Sequence, residues 1–412
     1  MSQNFIKRLL GKKDIAQSNS ITQANNDTFT VKLPDFTHDA GGRVRTSFMN
    51  TLFDGKLLNQ DNPEMWHGVG TGVFSFTNNI SNMSVTSGQY YIRLTNRHFP
   101  YYSGKCQLIE WTMEDFHLQA GVEKDFGYYS SSSTAPYNTT YDGFMIVNTG
   151  TTYELKVYNN GTLITSIDWT NWTNYSKISS YDFSKFTVFA SDFLWLGGAT
   201  LNIYLKTPTG FVLLHNYSHA GVGDSCMFKS PNQPIRYGIR SSSGTGTYSP
   251  ICSQVASEGG TDEKGYMLSY FNSTVITCNN IGTIYALRSF KKQAAFRDMA
   301  VSFIDIGIIN TATTDSGIGM IIKNPTPSSA ISYANNNVIQ LGTPTNQTIT
   351  ANTGKVICSF IVSSYGGTYI LPNQNDIYMQ NRIDDVMAEY VIAYTPLSAN
   401  QSLVTTSNIL VM

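Results

Sequence analysis

Charged side chains are scarce in this sequence: Asp, Glu, Lys and Arg make up 13% of 412 residues, and they nearly cancel to a net charge of −1. A protein that grips nucleic acid needs clustered Lys and Arg to displace counterions, and no long basic run exists, so nucleic acid is excluded as a partner. Long apolar runs are missing as well. No stretch approaches the ~18 apolar residues that cross a bilayer, which excludes membrane insertion. The N-terminal Phe5-Ile6-Lys7-Arg8-Leu9-Leu10 is basic and apolar, but its hydrophobic stretch is far too short for a secretory signal. The expectation is a chain that stays in the cytoplasm where it is made.

Cysteine is sparse too. The five (Cys106, Cys226, Cys252, Cys278, Cys358) are odd in number, widely scattered and never spaced C-x-x-C. That pattern argues against a disulfide framework or a thiolate metal site, and their apolar or small neighbours predict buried free thiols. No metal and no cofactor is expected.

What the chain has instead is aromatic and small polar residues. Phe, Trp and Tyr reach 13%, with 25 Tyr and 22 Phe, while Asn, Ser and Thr fill most of the remaining surface. Aromatic and β-branched side chains pack well on a pleated face, whereas helical enzymes carry more Glu, Lys and Ala. The pattern along the chain agrees. Val69 to Phe76 alternates and ends at Asn78-Asn79; Tyr90 to Leu94 and Cys106 to Met113 follow. Thr152 to Tyr158, Asn159-Asn160-Gly161 and Thr162 to Ile167 spell a hairpin. Phe186 to Leu196, Leu201 to Leu205, Phe211 to Leu214 and Ile235 to Ile239 continue the series. Further candidate strands are Thr274 to Cys278, Thr283 to Leu287, Val301 to Ile309, Val356 to Val362 and Glu389 to Tyr394, with Arg288 to Met299 readable as helix or strand. No solenoid or propeller repeat is present.

The fold expected is all-β: an antiparallel jelly-roll or β-sandwich over residues 41–250, then a second β-rich domain over 251–412. The small-residue loop Ser241 to Thr247 marks the boundary. Residues 1–40 stand apart. Phe5, Ile6, Leu9 and Leu10 fall at helical spacing around Lys7 and Arg8, Gly11 is a plausible stop, and a polar stretch follows. This predicts a short helix or extended anchor that docks on a partner, with packing on its own subunit and binding to a membrane surface as the alternatives.

Catalytic patterns are few. In Leu108 to Glu114 an alternating strand points Glu110, Thr112 and Glu114 to one face. Jelly-roll retaining glycosidases place two catalytic carboxylates on one strand in this way, with an acid between them. Four residues span ~13 Å between Cα atoms, and two Glu side chains leaning together approach the ~5 Å a retaining mechanism needs. Thr112, however, stands where that pattern wants Asp. The competing reading makes Glu110 and Glu114 solvated positions, or partners of Lys105 or Arg93. His215 and His219 have the spacing that shares a metal on a helix, but Phe211 to Leu214 reads as strand, which separates them. Neither a G-x-S-x-G elbow nor a phosphate loop occurs, so the expectation is a protein that is not an enzyme.

Several segments together resemble a family of virion proteins from tailed phages, including crAss-like and marine phages. They are Gly42 to Ser47, Ser103 to Glu110, Gly127 to Ser130 with Ala135 to Asn138 and Asp142-Gly143, Phe193 to Gly197, and Ser230 to Tyr237. Their order and combination carry the likeness over about residues 41–260, and the C-terminal region matches more weakly. The resemblance implies a phage structural protein of the head-fibre, capsid-decoration or tail-associated kind, and it brings no catalytic residues. The expected partners are other copies of itself, as a homotrimer, and capsid, neck or tail proteins met through the N-terminal peptide. The rival readings are a tail-associated receptor-binding protein that recognises a host-surface glycan, and a glycan-cleaving virion enzyme using Glu110 and Glu114.

Overall fold

The computed structural model describes residues 22–24, 28–30 and 38–411, apart from 57–60, 78–79, 199, 260–264, 312–315, 345–346, 365, 371–377, 381 and 400. Within these residues the protein is all-β. Helix is limited to three single 3-10 turns, and neighbouring strands pair antiparallel. The anchor expected at Phe5, Ile6, Lys7, Arg8, Leu9 and Leu10 lies outside the described residues.

The first sandwich faces a seven-stranded sheet with an eight-stranded one. In hydrogen-bonded order the seven are Thr162–Asp168, Tyr153–Asn159, Asp142–Asn148, Val122–Ser130, Ile235–Ser241, Tyr90–Thr95 and Trp66–Gly70. The eight run Gly210–Ser218, Thr200–Thr207, Thr187–Leu194, Gln107–Glu114, Gly246–Glu258, Ile80–Val85 and Val73–Thr77, with Met49–Asp54 added to Gly246–Glu258. Alternation explains the core. On Gln107–Glu114 the residues Ile109, Trp111 and Met113 are buried between the sheets, while Glu110, Thr112 and Glu114 are half-exposed on the outer face. From the opposite sheet come Phe126, Tyr128, Phe144 and Leu155. Phe116 sits at the centre of an aromatic cluster, its ring 5.2 Å from Phe126 and 5.5 Å from Tyr153. Aromatic pairs in such tilted and edge-on arrangements add about 0.5–1.5 kcal/mol each beyond the area they bury.

Two turns follow directly from residue chemistry. Asn160 (φ 45°) and Gly161 (φ 92°) take the left-handed conformations of a tight hairpin between Tyr153–Asn159 and Thr162–Asp168. Val69 to Phe76, which reads as one alternating strand, is instead two strands in opposite sheets. Gly70 turns the corner at φ 147°, and a Cβ there would lie 2.3 Å from the Tyr90 carbonyl. Alternation continues on both sides of the corner, so periodicity alone does not reveal it.

The second sandwich pairs a four-stranded sheet (Tyr266–Cys278, Gln401–Val411, Val301–Asn310, Gly367–Ile370) with a six-stranded one. The six are Tyr333–Asn336, Ile339–Gly342, Tyr285–Lys292, Glu389–Pro396, Gly317–Lys323 and Lys355–Val362. Its own core holds Leu287, Phe290, Phe303, Ile321, Ile392 and Leu403. The ambiguous Arg288 to Met299 is strand as far as Lys292, then a 3-10 turn at Ala294–Phe296. The Ser241 to Thr247 loop is not a linker: it joins Ile235–Ser241 to Gly246–Glu258, which pairs with Gln107–Glu114 of the first sandwich. Residues 251–258 therefore belong to the first sandwich, because the low burial value that makes a loop resemble a boundary is shared by any tight reversal.

The two sandwiches touch through specific contacts. Ile383 packs with Ile92 and Leu94 on the outer face of the seven-stranded sheet. Lys323 Nζ donates to Glu64 Oε2 at 2.7 Å, and Gln380 Nε2 donates to the Glu64 carbonyl at 2.8 Å.

Candidate functional site

The outward row Glu110, Thr112 and Glu114 lies mid-sheet, flanked by Thr187–Leu194 on one side and Gly246–Glu258 on the other. Glu110 stands opposite Ala190 and Gln254, Thr112 opposite Val188 and Cys252, and Glu114 opposite Ser249. Burial pushes the Glu110 carboxyl above its ordinary value. Neither Lys105 nor Arg93 is its partner: Lys105 Nζ donates to the Gly259 carbonyl and Arg93 pairs with Asp61. The row presents two carboxylates separated by a hydroxyl, so the strand carries the glycosidase spacing without the central acid.

The two histidines have separate structural tasks. His219 Nε2 lies 2.8 Å from the Ser225 carbonyl, which can only accept, so Nε2 carries the proton and Nδ1 accepts from the Tyr217 hydroxyl at 2.9 Å. His215 Nδ1 accepts from the Thr173 backbone N–H.

Asp39, Cys106 and Glu258 come together with ligand atoms within 4.8 Å of one another. The donors are already engaged by cations. Arg43 donates its backbone N–H to Asp39 Oδ1 at 2.8 Å and its Nε–H to Oδ2 at 2.6 Å. Arg45 reaches Asp192 at 2.5 Å and Glu258 at 3.7 Å. Burial outweighs Arg45 and pushes the Asp192 carboxyl up to about 7, and burial also lifts the Cys106 thiol to about 12. This is an ion-pair network pinning residues 39–45 to the first sandwich. Of the other cysteines Cys278 is buried, Cys252 and Cys358 are half-buried, and Cys226 is exposed, contrary to the expectation that all are packed inside.

Two residues that no motif search singles out organise the end of the first sandwich. Buried Asp142 accepts from the backbone N–H groups of Asn160 (3.0 Å), Lys229 (2.8 Å) and Ser230 (3.0 Å), and from Gln233 Nε2 (2.7 Å). Fully buried Arg236 donates to Ser131 Oγ at 2.5 Å and to the Tyr137 carbonyl at 2.8 Å, with its guanidinium 4.8 Å above the Tyr129 ring. Trp195 donates its indole N–H to the Phe228 carbonyl at 3.0 Å.

Between the sandwiches runs a cleft of about 650 Å³, lined by Lys56, Glu64 and Arg97 from the first and by Lys323, Lys355 and Tyr378 from the second. Its size falls in the range of small-ligand sites, which favour domain interfaces. Arg97 stacks 5.0 Å from the centre of the Tyr378 ring on its floor. No helix is long and apolar enough to cross a membrane among the described residues.

No protein-family model matches this chain, and no curated protein does. Among solved structures, Bacillus licheniformis β-glucanase is similar at 16% identity, with 51% of this chain and 99% of that one covered and a TM-score of 0.34. The carbohydrate recognition domain of Emp47p is similar at 13% identity, with 50% and 96% covered and a TM-score of 0.33. The exoplasmic/lumenal domain of VIP36 is similar at 9% identity, with 52% and 91% covered and a TM-score of 0.35. All three are similar to this chain in fold alone.

Proposed function

We propose that this chain is a non-enzymatic structural protein of a tailed-phage virion, of the head-fibre or capsid-decoration kind, assembled in the host cytoplasm. Its N-terminal peptide, with Phe5 to Leu10 as the docking residues, would anchor it to a capsid, neck or tail protein while the two sandwiches project. The observation that carries this reading is where the virion-like segments put their polar residues. Arg43 pairs with buried Asp39, while Asp142 and Trp195 close structural hydrogen bonds within the first sandwich, and none of Arg43, Asp142 and Trp195 lines the cleft. A catalytic family would aim such residues at a cavity; a display protein uses them to hold long loops rigid.

Self-association fits the same reading. Tyr266–Cys278 is an edge strand of the four-stranded sheet, and it contains no charge and no proline, the usual guards against edge pairing. Tyr266, Met267, Phe271 and Val275 on it are about half exposed or more. A second copy of the same strand would meet no like charge there. The deciding experiment removes residues 1–37, which leaves Asp39 and its ion pair with Arg43 in place. The shortened protein should fold and oligomerise when purified but be missing from particles by mass spectrometry; its retention in particles would refute the anchor.

A second reading, host-glycan recognition by a tail-associated protein, is favoured by the cleft between the sandwiches. Glycan-array binding that is lost on Lys355→Ala would move the assignment there.

A further inference from the structure

Beside that cleft, and separate from it, a small void lies between the sandwiches. His98, Ser131 and Arg236 of the first line it, and Arg297, Arg382 and Ile383 of the second complete it. The remaining space holds a single particle the size of a water molecule.

Two independent features of this void are unusual for a protein interior. His98 is 7% exposed, yet neither ring nitrogen has a hydrogen-bond partner. Arg236 is fully buried and is held by neutral oxygens and by the Tyr129 and Tyr141 rings; its Nε–H has no partner. Among the described residues no carboxylate pairs with Arg236. A buried cation without a counter-charge is costly, and a buried donor without an acceptor adds to that cost.

The other charges around the void do not supply what is missing. Arg382 is engaged by Asp384 at 2.8 Å, and Arg297 lies 3.6 Å from Asp385 and donates to the Ser131 carbonyl. Lys292, behind Arg297, donates to the Arg297 carbonyl. Each acid on this side thus already faces a cation, and Arg236 leaves one positive charge in surplus. A water molecule would satisfy hydrogen bonds but not charge. Phosphate, sulfate and carboxylate ligands are too large for the space.

We propose that the void is a binding site for one halide ion, chloride in the cell, held between His98 and Arg236 and walled on its other side by the second sandwich. The ion would accept from Arg236 Nε–H and from a His98 ring N–H, and would neutralise the surplus charge. Because both sandwiches build its walls, the ion would also couple them, and it would bind only to the docked arrangement.

Anomalous diffraction from crystals of the full chain grown in bromide tests the site directly. A single bromide peak between His98 and Arg236 is the expected result. A water-like density there without anomalous signal, or bromide only elsewhere, overturns the proposal. In solution the full chain should melt at higher temperature in chloride than in gluconate at equal ionic strength. Equal melting in the two salts overturns it as well. His98→Phe, which removes the donor while leaving Arg236 in place, should still fold and should need about tenfold more chloride for the same stabilisation, the scale of one hydrogen bond to a charged group. An unchanged chloride dependence in that variant also counts against the site.

Discussion

Glu64 of the first sandwich and Lys323 of the second meet at 2.7 Å across the floor of the cleft, and Gln380 clasps the Glu64 carbonyl from the same side. Burial alone would raise the Glu64 carboxyl, but Lys323 and Lys355 outweigh it and hold it below its ordinary value. A carboxyl depressed on folding contributes stability above its unfolded pKa and loses it as pH falls through the folded value. The contact between sandwiches should therefore weaken in acid, below the ordinary carboxylate range. Lys323→Met should remove about 2 kcal/mol of coupling at neutral pH. Calorimetry checks this: a single unfolding transition in the parent should split or broaden in the variant.

Asp142 is the hub of the loop that follows Lys229. Asp142→Ala leaves three backbone N–H groups and one amide without their acceptor, and should cost about 3 kcal/mol in denaturant unfolding. Asp142→Asn keeps one carbonyl acceptor and should cost less. Equal losses for the two substitutions would show that the site acts through packing and not through these hydrogen bonds.

The extent to which this architecture is legible in the sequence depends on contact range. The Asn160-Gly161 turn reads correctly because the residues that need left-handed backbone are themselves the signal. The inward triplet Ile109, Trp111 and Met113 reads correctly for the same local reason, since alternation places side chains without reference to any partner. Asp142 and Arg236 stay hidden because their partners lie far away in sequence, Ser230 for one and Ser131 for the other. The corner at Gly70 is missed because a strand that changes sheets keeps its alternation. The extent of the first sandwich is misjudged at Ser241 to Thr247 because a loop that crosses between the two sheets of one sandwich and a linker share one composition. The contacts that join the sandwiches, Lys323 with Glu64 and Ile383 with Ile92, carry no local signature at all.

Glu110 tests whether the outward row has chemistry. Burial raises its carboxyl, and a group whose folded pKa is raised loses stability as pH rises from the unfolded to the folded value. Glu110→Gln removes that penalty, so at neutral pH the variant should be as stable as the parent or more so. A catalytic role predicts something else: measurable hydrolysis of a polysaccharide by the parent and its loss in the variant. Thermal melting and a reducing-sugar assay on the same two proteins separate the readings.

Lys292 offers the sharpest dependence on pH. It ends the strand Tyr285–Lys292 of the second sandwich and is buried, and burial lowers its ammonium to about 7; Asp298 opposes that shift and Arg297 adds to it. Between pH 7 and the ordinary lysine range the unfolded chain binds the proton that the folded chain has released, so folding stability should rise with pH. The slope cannot exceed about 1.4 kcal/mol per pH unit for one group. Lys292→Met removes the titrating group and keeps the aliphatic stem, so its stability should be flat between pH 7 and pH 9 where the parent's climbs. Urea unfolding of the two proteins across that window decides it: parallel curves would mean that Lys292 keeps its proton when folded, with the Arg297 carbonyl sustaining its charge.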